Sequence, residues 1–193
     1  NVTVIDGTTD HVVGWISVGS EPSAVAYDSS NGYLYVADFG ANSLTVIDGA
    51  TDAVVGSVTV GTGSEAPESV AFDGSNGYLY VAMFPFSGKA GSLTVVDGST
   101  DSVVGSLTVG SAPKGVAYDS SNGYVYASNS GSGSVSVINP ATSQLVKTIS
   151  VGSGPRGVAF DGTNGDVYVA NFGANTASVI SGTTNSVVAT LTV

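Results

Sequence analysis

The chain of 193 residues contains no cysteine and a single histidine, His11. Without thiols it can form no disulfide, no thiolate nucleophile and no cysteine-ligated metal site. The one histidine falls in a predicted turn away from the other candidate residues, so we expect no His-based metal site and no Ser-His-Asp triad. Catalysis therefore has little support, and cysteine usage does not indicate a compartment.

Charge is scarce and almost entirely of one sign. Asp, Glu, Lys and Arg make up 10% of the residues, against roughly 25% in an ordinary soluble domain. Fifteen acids and four bases give a net charge of −11, which excludes nucleic acid and anionic lipid as expected partners because both need clustered Lys and Arg. A surface of Ser, Thr, Asn and Gly predicts a secreted or cell-surface protein.

Long hydrophobic runs and chemical motifs are also missing. No apolar run approaches the 18 residues needed to cross a bilayer, so we predict no membrane insertion. No G-x-G-x-x-G or P-loop pattern sits between a strand and a helix, and no cofactor is predicted. Asn1-Val2-Thr3 matches the N-glycosylation acceptor pattern, which makes Asn1 a predicted glycan site.

What the sequence has in abundance is repetition. The segment DSSNGYLYVA begins at Asp28, and close variants of it begin at Asp73, Asp119 and Asp161. The hydrophobic residue before each DG-like turn recurs at spacings of 42, 49, 42 and 42, at positions Ile5, Ile47, Val96, Ile138 and Ile180. A fixed period of this length indicates a repeat architecture.

Each repeat contains four short segments rich in Val, Ile and Tyr, separated by Asn-Gly, Asp-Gly or Pro. In the first full repeat these predicted strands, a to d, are SAVAYD, YLYVA, SLTVID and AVVGSVTVG. No segment has helical periodicity. The predicted fold is all-β, a β-propeller of four-stranded antiparallel blades with about four and a half repeats in this chain.

The predicted boundaries are a half blade at 1–18 and blades at about 19–60, 61–109, 110–151 and 152–193. The half blade lacks strands a and b, so the ring does not close by strand count. Three arrangements remain open: a segment of a longer propeller, a four-bladed ring with a spare hairpin, or a homo-oligomer or multichain assembly through unpaired blade edges.

The repeated Asp has two interpretations. Asp28 can accept a backbone N–H two residues on and form an Asx turn before Gly32, which supplies a positive φ. A calcium site needs six to eight oxygens, and each turn offers a single carboxylate. Pairs of acids four residues apart in the turns between strands c and d, such as Asp48 and Asp52, have the same two interpretations. For both sets of acids, turn formation is favoured over cation binding.

Strand a carries Val, then Ala, then an aromatic residue in every repeat. Innermost strands crowd around a central axis, where one face has room for Ala only, and the aromatics can fill the wider gap between blades. The Ala positions are Ala26, Ala71, Ala117 and Ala159, and the aromatics that follow them are Tyr27, Phe72, Tyr118 and Phe160. This pattern favours a radial array over a flat sandwich.

The segment GYLYVADFGANSLTVIDGATDAVVGSVTVGTGSEAPESVAFD resembles the YVTN-type β-propeller repeat, and the likeness extends over essentially the whole chain. VYVAN at Val167 to Asn171 is the nearest copy of the family signature, whereas Asp38 and Met83 depart from its Asn. The resemblance implies a surface-layer-like propeller protein with a structural or binding role more often than an enzymatic one.

The second repeat is longer than the others in its d–a and b–c connections, which lie at the same end of the predicted blades. Its b–c segment MFPFSGKAGS brings together Met83, Phe84, Phe86 and Lys89. Phe39 and Phe172 occupy the corresponding position in other repeats. Exposed aromatics can stack on sugars or anchor a protein partner, although they can also plug the mouth of the propeller.

The residue after each strand-a Pro varies between repeats, and three of these residues are charged: Glu68, Lys114 and Arg156. An ion-paired cluster at the rim and ordinary solvated loop charge are both consistent with this.

From the low charge, the repeat resemblance and the missing catalytic motifs, we expect a structural, adhesive or assembly role, with other protein chains or surface glycans as partners. Two alternatives are a ligand-binding propeller that uses the long loops, and a propeller lyase that uses Glu68 with Lys114 and a metal.

Overall fold

A computed structural model describes residues 1–88 and 90–193. It contains eighteen β-strands and, among these residues, one short 3-10 turn at Phe39–Ala41. The first nine strands are β1 (Val2–Asp6), β2 (His11–Ile16), β3 (Pro22–Asp28), β4 (Tyr33–Asp38), β5 (Ser43–Asp48), β6 (Ala53–Thr59), β7 (Glu65–Asp73), β8 (Tyr78–Pro85) and β9 (Ala90–Asp97). The other nine are β10 (Ser102–Ser111), β11 (Pro113–Asp119), β12 (Tyr124–Asn129), β13 (Ser134–Asn139), β14 (Gln144–Ser150), β15 (Pro155–Asp161), β16 (Asp166–Asn171), β17 (Thr176–Ser181) and β18 (Ser186–Thr192).

The strands form five antiparallel sheets. Strands β1 and β2 make a two-stranded hairpin sheet, and the first to fourth sheets are β3–β6, β7–β10, β11–β14 and β15–β18, each in chain order. The prediction of an all-β chain of four-stranded antiparallel units is confirmed, and the sheets fit the blades of a propeller-like fold. No helix in the described residues has the length and hydropathy needed to cross a bilayer.

Asx turns close the first hairpin of every four-stranded sheet, as the repeated Asp predicts. The Asp28 carboxylate accepts the backbone N–H of Ser30 at 2.8 Å, and Gly32 follows with a φ of 80°. The carboxylates of Asp73, Asp119 and Asp161 accept the same backbone bond at 2.8–2.9 Å. The described residues contain no group of three or more His, Asp or Glu side chains that could hold a metal ion.

The hydrophobic core is divided among the three junctions between successive four-stranded sheets. At the first junction, Tyr35 and Leu44 pack against Val70 and Leu79 of the next sheet. Equivalent clusters fill the second and third junctions. The strand-a aromatics Phe72, Tyr118 and Phe160 each pack against one of these clusters, which confirms that they fill the gap between sheets.

Polar residues close the loop end of the second strand in three of the sheets. Asp38 accepts a hydrogen bond from Thr45 at 2.5 Å, and Asn171 donates to Ser178 at 2.9 Å. Asn129 makes the corresponding bond to Ser136. These bonds join the second and third strands, so they hold the connection between them at a fixed position on the end of the sheet.

Candidate binding face

The end of the sheets that carries the d–a and b–c connections is called the loop face below. In the second sheet the extra residues of these connections extend the strands instead of forming free loops. Strand β7 begins at Glu65 and pairs with β8 as far as Pro85, with Ala66 opposite Phe84. The segment predicted as a long b–c loop is therefore largely strand, because the two insertions pair with each other. The second sheet therefore projects beyond its neighbours on the loop face.

Three phenylalanines form an aromatic cluster on the loop face. The ring centroids of Phe39 and Phe84 are 6.3 Å apart, those of Phe39 and Phe86 are 5.8 Å apart, and those of Phe84 and Phe86 are 6.1 Å apart. The last two pairs meet edge to face, the arrangement that aromatic quadrupoles favour. Phe86 is 57% exposed, so the cluster presents one solvent-exposed ring that packs against the rings of Phe39 and Phe84.

Lys114 connects the aromatic cluster to an ion pair. Its Nζ lies 4.3 Å from the centroid of Phe84 and donates to Glu68 Oε1 at 2.7 Å. Both charged side chains are half-buried. The ammonium group is therefore fixed between an acid and an aromatic ring, and Glu68 and Lys114, which follow strand-a prolines in neighbouring repeats, meet on the same face.

Arg156 lies apart from this pair and has a different partner. Its guanidinium carbon is 4.0 Å from the ring centroid of Phe172, and it forms no salt bridge with the described residues. Phe172 is 67% exposed. The fourth sheet thus carries a separate cation–aromatic pair in which both groups remain open to solvent.

Two of the predicted site residues do not join these groups. Met83 is fully buried in the core of the first junction, because strand β8 continues past it and turns its side chain inward. It supports the base of the loop face but presents no surface. Lys89 lies outside the described residues.

A pocket of about 350 Å³ opens beside the aromatic cluster. It is lined by Glu21, Pro22, Ser23, Phe39, Glu68 and Lys114. Sequence reasoning missed Glu21, which comes directly before the strand-a Pro of the first full repeat. The repeat alignment contains the signal, because the equivalent residues Ala66, Ala112 and Gly154 are small and uncharged.

The charges of the chain are divided between its two ends. Every Glu lies on the loop face: Glu21, Glu65 and Glu68. Asp38 is buried near the same end, whereas the other aspartates lie in or beside the turns at the opposite end. Lys114 and Arg156 lie on the loop face, so acid and base are mixed there while acid dominates the opposite end. Hydrogen bonding to Thr8 in one such turn lowers the pKa of Asp6.

Solved structures similar to this chain share its fold. Hydrazine synthase from Kuenenia stuttgartiensis aligns with a TM-score of 0.78 at 22% identity, over 93% of this chain and 53% of that chain. A protein of unknown function from Bacteroides caccae aligns with a TM-score of 0.73 at 16% identity, over 98% of this chain and 68% of that chain. At these identities the likeness shows the fold alone. The chain spans about half the length of the hydrazine synthase chain.

No curated protein matches the chain significantly. A family described as "Repeat of unknown function (DUF6923)" matches residues 3–193, which is nearly the whole sequence. The match covers all eighteen strands except the first residue of β1. The chain therefore belongs to this repeat family.

Proposed function

We propose that the chain is a β-propeller segment of the YVTN type, with a half blade followed by four blades. The five sheets, the junction cores and the repeated turns support this arrangement. Each four-stranded sheet begins within a few residues of a boundary predicted from the 42-residue period.

We infer that the protein is a non-enzymatic, cell-surface adhesion module that binds a glycan on its loop face. The single observation that carries this inference is the cluster of Phe39, Phe84 and Phe86, with Phe86 open to solvent. An exposed aromatic ring on a rigid base can stack against the apolar face of a sugar ring at low cost in conformational entropy.

The polar groups around the cluster suit a neutral ligand. Glu21 and the Glu68–Lys114 pair line the pocket beside Phe39, and together they supply both acceptors and donors for sugar hydroxyls. Because Lys114 is already paired with Glu68, the described residues that line the pocket present no free positive charge. The concentration of acids at the opposite end also disfavours a strongly anionic polymer.

A glycan array probed with the labelled chain tests the proposal. We expect binding to a subset of neutral glycans, with a loss of roughly tenfold or more in affinity for Phe86→Ala and Phe39→Ala, since a stacking contact contributes about 1.4 kcal/mol or more. Leu145→Ala is the matched control, because Leu145 is an exposed apolar residue on the outer strand β14, away from the loop face.

Binding that survives both phenylalanine variants would remove the loop face as the site. Absence of binding to any sugar would reject the glycan as the ligand. In that case a protein partner whose capture depends on Phe86 would still leave the loop face as an adhesive surface.

A further inference from the structure

The first and third junctions are closed by hydrogen bonds at the end of the sheets opposite the loop face, called the turn end below. In the first junction, Asn31 donates to Gly98 O at 2.9 Å. Tyr35 donates to the same carbonyl at 3.0 Å and to Asp101 at 2.7 Å. These bonds hold the last turn of one sheet against the sheet before it. The third junction repeats them with the corresponding residues Asn122, Tyr126, Gly182 and Asn185.

The second junction lacks these bonds. Its corresponding donors are Asn76 and Tyr80 of the second sheet, and Asn76 donates to the Tyr80 hydroxyl at 3.4 Å. No described residue of the third sheet accepts a hydrogen bond from either side chain. Tyr80 is only 2% exposed. A buried hydroxyl at the turn end of this junction therefore has an unused donor, although buried polar groups are normally paired.

A proline in the last turn of the third sheet explains part of the difference. Pro140 occupies the position of Gly98 in the second sheet and Gly182 in the fourth. Those glycines lie close to the preceding sheet, since a Cβ at Gly182 would be 2.5 Å from Asp119 Oδ2. Because Pro140 carries a Cβ and a ring, its turn cannot approach the second sheet as closely.

A serine in the same turn explains the rest. Ser143 occupies the position of Asp101 and Asn185, and its φ of 53° is nearly the same as theirs. The backbone of the turn is thus kept, and the side chain alone is shortened. Among the described residues the Ser143 hydroxyl makes no bond to Tyr80, because it does not extend as far as the carboxylate or amide oxygen that it replaces.

A cavity of about 390 Å³ opens between the second and third sheets at this point. Described sheets lie on both sides of it. Leu107, which lines the cavity, is only half-buried, whereas its equivalents Val58 and Ile149 are 5% and 6% exposed. The turn end of the second junction is therefore open where the other two are closed. Other residues that line the cavity are Tyr78, Tyr80, Val104, Ser106 and Ser143.

The lining of the cavity combines apolar surface with a few polar groups. Val104 and Leu107 supply aliphatic surface, and Tyr80 supplies its unused donor. None of the described residues that line the cavity is charged. The volume falls in the range of roughly 300–1,000 Å³ that small-molecule sites occupy. Because acids dominate the turn end and no base lines the cavity, an anionic ligand is disfavoured.

We propose that the second junction binds a small uncharged organic molecule. Its apolar part packs against Val104 and Leu107, and a carbonyl or ether oxygen accepts the hydrogen bond of the Tyr80 hydroxyl. The ligand thus supplies the acceptor that Gly98 and Asp101 provide in the first junction. This site lies at the opposite end of the sheets from the loop face, and it does not depend on the glycan proposed there.

A titration of the ¹⁵N-labelled chain with N-methylbenzamide, followed by NMR, tests the proposal. We expect saturable shifts of the backbone amide signals of Gly105, Ser106 and Ser143, because all three residues line the cavity. Benzoate and benzylammonium are matched probes that carry a charge, and they should bind more weakly by roughly tenfold or more. Tyr80→Phe should weaken binding of N-methylbenzamide by about threefold to tenfold, the effect of one neutral hydrogen bond. Tyr168→Phe, at the corresponding position of the fourth sheet, is the matched control and should leave the affinity unchanged.

A second variant closes the cavity by giving the third sheet the turn of the second. Pro140→Gly combined with Ser143→Asp restores the close approach and an acceptor for Tyr80, so the shifts should be lost. Circular dichroism establishes that the variants keep the fold, and Tyr80→Phe decides the question by itself if the double variant does not. Absence of saturable shifts with N-methylbenzamide overturns the proposal. So does benzoate binding of equal affinity, or binding that Tyr80→Phe leaves unchanged.

Discussion

The hydroxyl of Tyr35 lies 2.7 Å from the carboxylate of Asp101, a residue 66 positions further along the chain. The bond crosses the first junction, from the second strand of one sheet to the last turn of the next. Tyr126 makes the equivalent bond to Asn185 across the third junction. A buried aromatic ring with a polar end can contribute packing area to the junction and also fix the register of two neighbouring sheets.

Tyr35→Phe is expected to lower the free energy of unfolding by about 1–2 kcal/mol, because the change leaves Gly98 O and the Asp101 carboxylate without their hydroxyl donor. Urea denaturation measures the difference. Tyr168→Phe is the matched control, and it should change stability by less than about 0.5 kcal/mol, because the Tyr168 hydroxyl accepts a bond from Asn164 and donates to no turn of another described sheet. Equal losses in the two variants would show that the junction bond contributes nothing specific.

High pH should weaken the junctions, because the second and third sheets also carry a buried tyrosine at the position of Tyr35. Burial raises the pKa of Tyr80 and of Tyr126 from 10.0 to about 12. The folded chain thus holds these phenols neutral where the unfolded chain ionises them, so the stabilisation is complete below about pH 10 and is lost as pH rises through about 12. Unfolding free energies measured from pH 8 to pH 12 should fall above pH 10. Tyr126→Phe should make that fall shallower, and an unchanged slope in this variant contradicts the assignment.

Much of this architecture follows from the sequence because its repeats encode it locally. Asp28 and Gly32 specify a hairpin turn through an Asx hydrogen bond and a positive φ that involve only five consecutive residues. Because the same segment recurs in each repeat, predicting one of these turns predicts all four. The position of Phe72 between two sheets is predictable for a similar reason. Strand a carries a small Ala on one face and an aromatic residue on the other, and the aromatic side chain fills the wider gap between neighbouring sheets.

The candidate site was harder to predict because it depends on contacts between repeats. Sequence spacing placed Met83 with the loop aromatics, but the two insertions of the second repeat pair with each other, extend β8 and bury Met83 in the core. Glu21 was missed because it differs from its counterparts only when the residues before each strand-a Pro are compared between repeats. It reaches the pocket only where the first and second sheets bring Phe39 and Glu68 together.

Gly182→Ala is expected to destabilise the chain by about 2 kcal/mol, because a Cβ at this position would lie 2.6 Å from the carbonyl oxygen of Gly165 and 2.5 Å from Asp119 Oδ2. The backbone oxygen cannot move without opening the adjacent turn. Gly105→Ala is the control, since a Cβ there meets no atom within 4 Å. Thermal unfolding of both variants is the measurement, and a Gly182→Ala protein as stable as Gly105→Ala would show that the turns separate without cost.

The contact between Lys114 and Phe84 should be measurable apart from the ion pair with Glu68. A double-mutant cycle with Lys114→Met and Phe84→Leu is expected to give a coupling energy of about 0.5–1 kcal/mol in urea denaturation, the range for a partly exposed cation over an aromatic ring. A second cycle with Lys114→Met and Glu68→Gln should give a coupling below about 1 kcal/mol that shrinks as salt is added, because the pair is only half-buried. The first coupling should persist in salt, since the ring carries no net charge to screen. If both couplings vanish together at high salt, Lys114 is held by Glu68 alone, and the ring of Phe84 is then free to take part in ligand stacking without its cation.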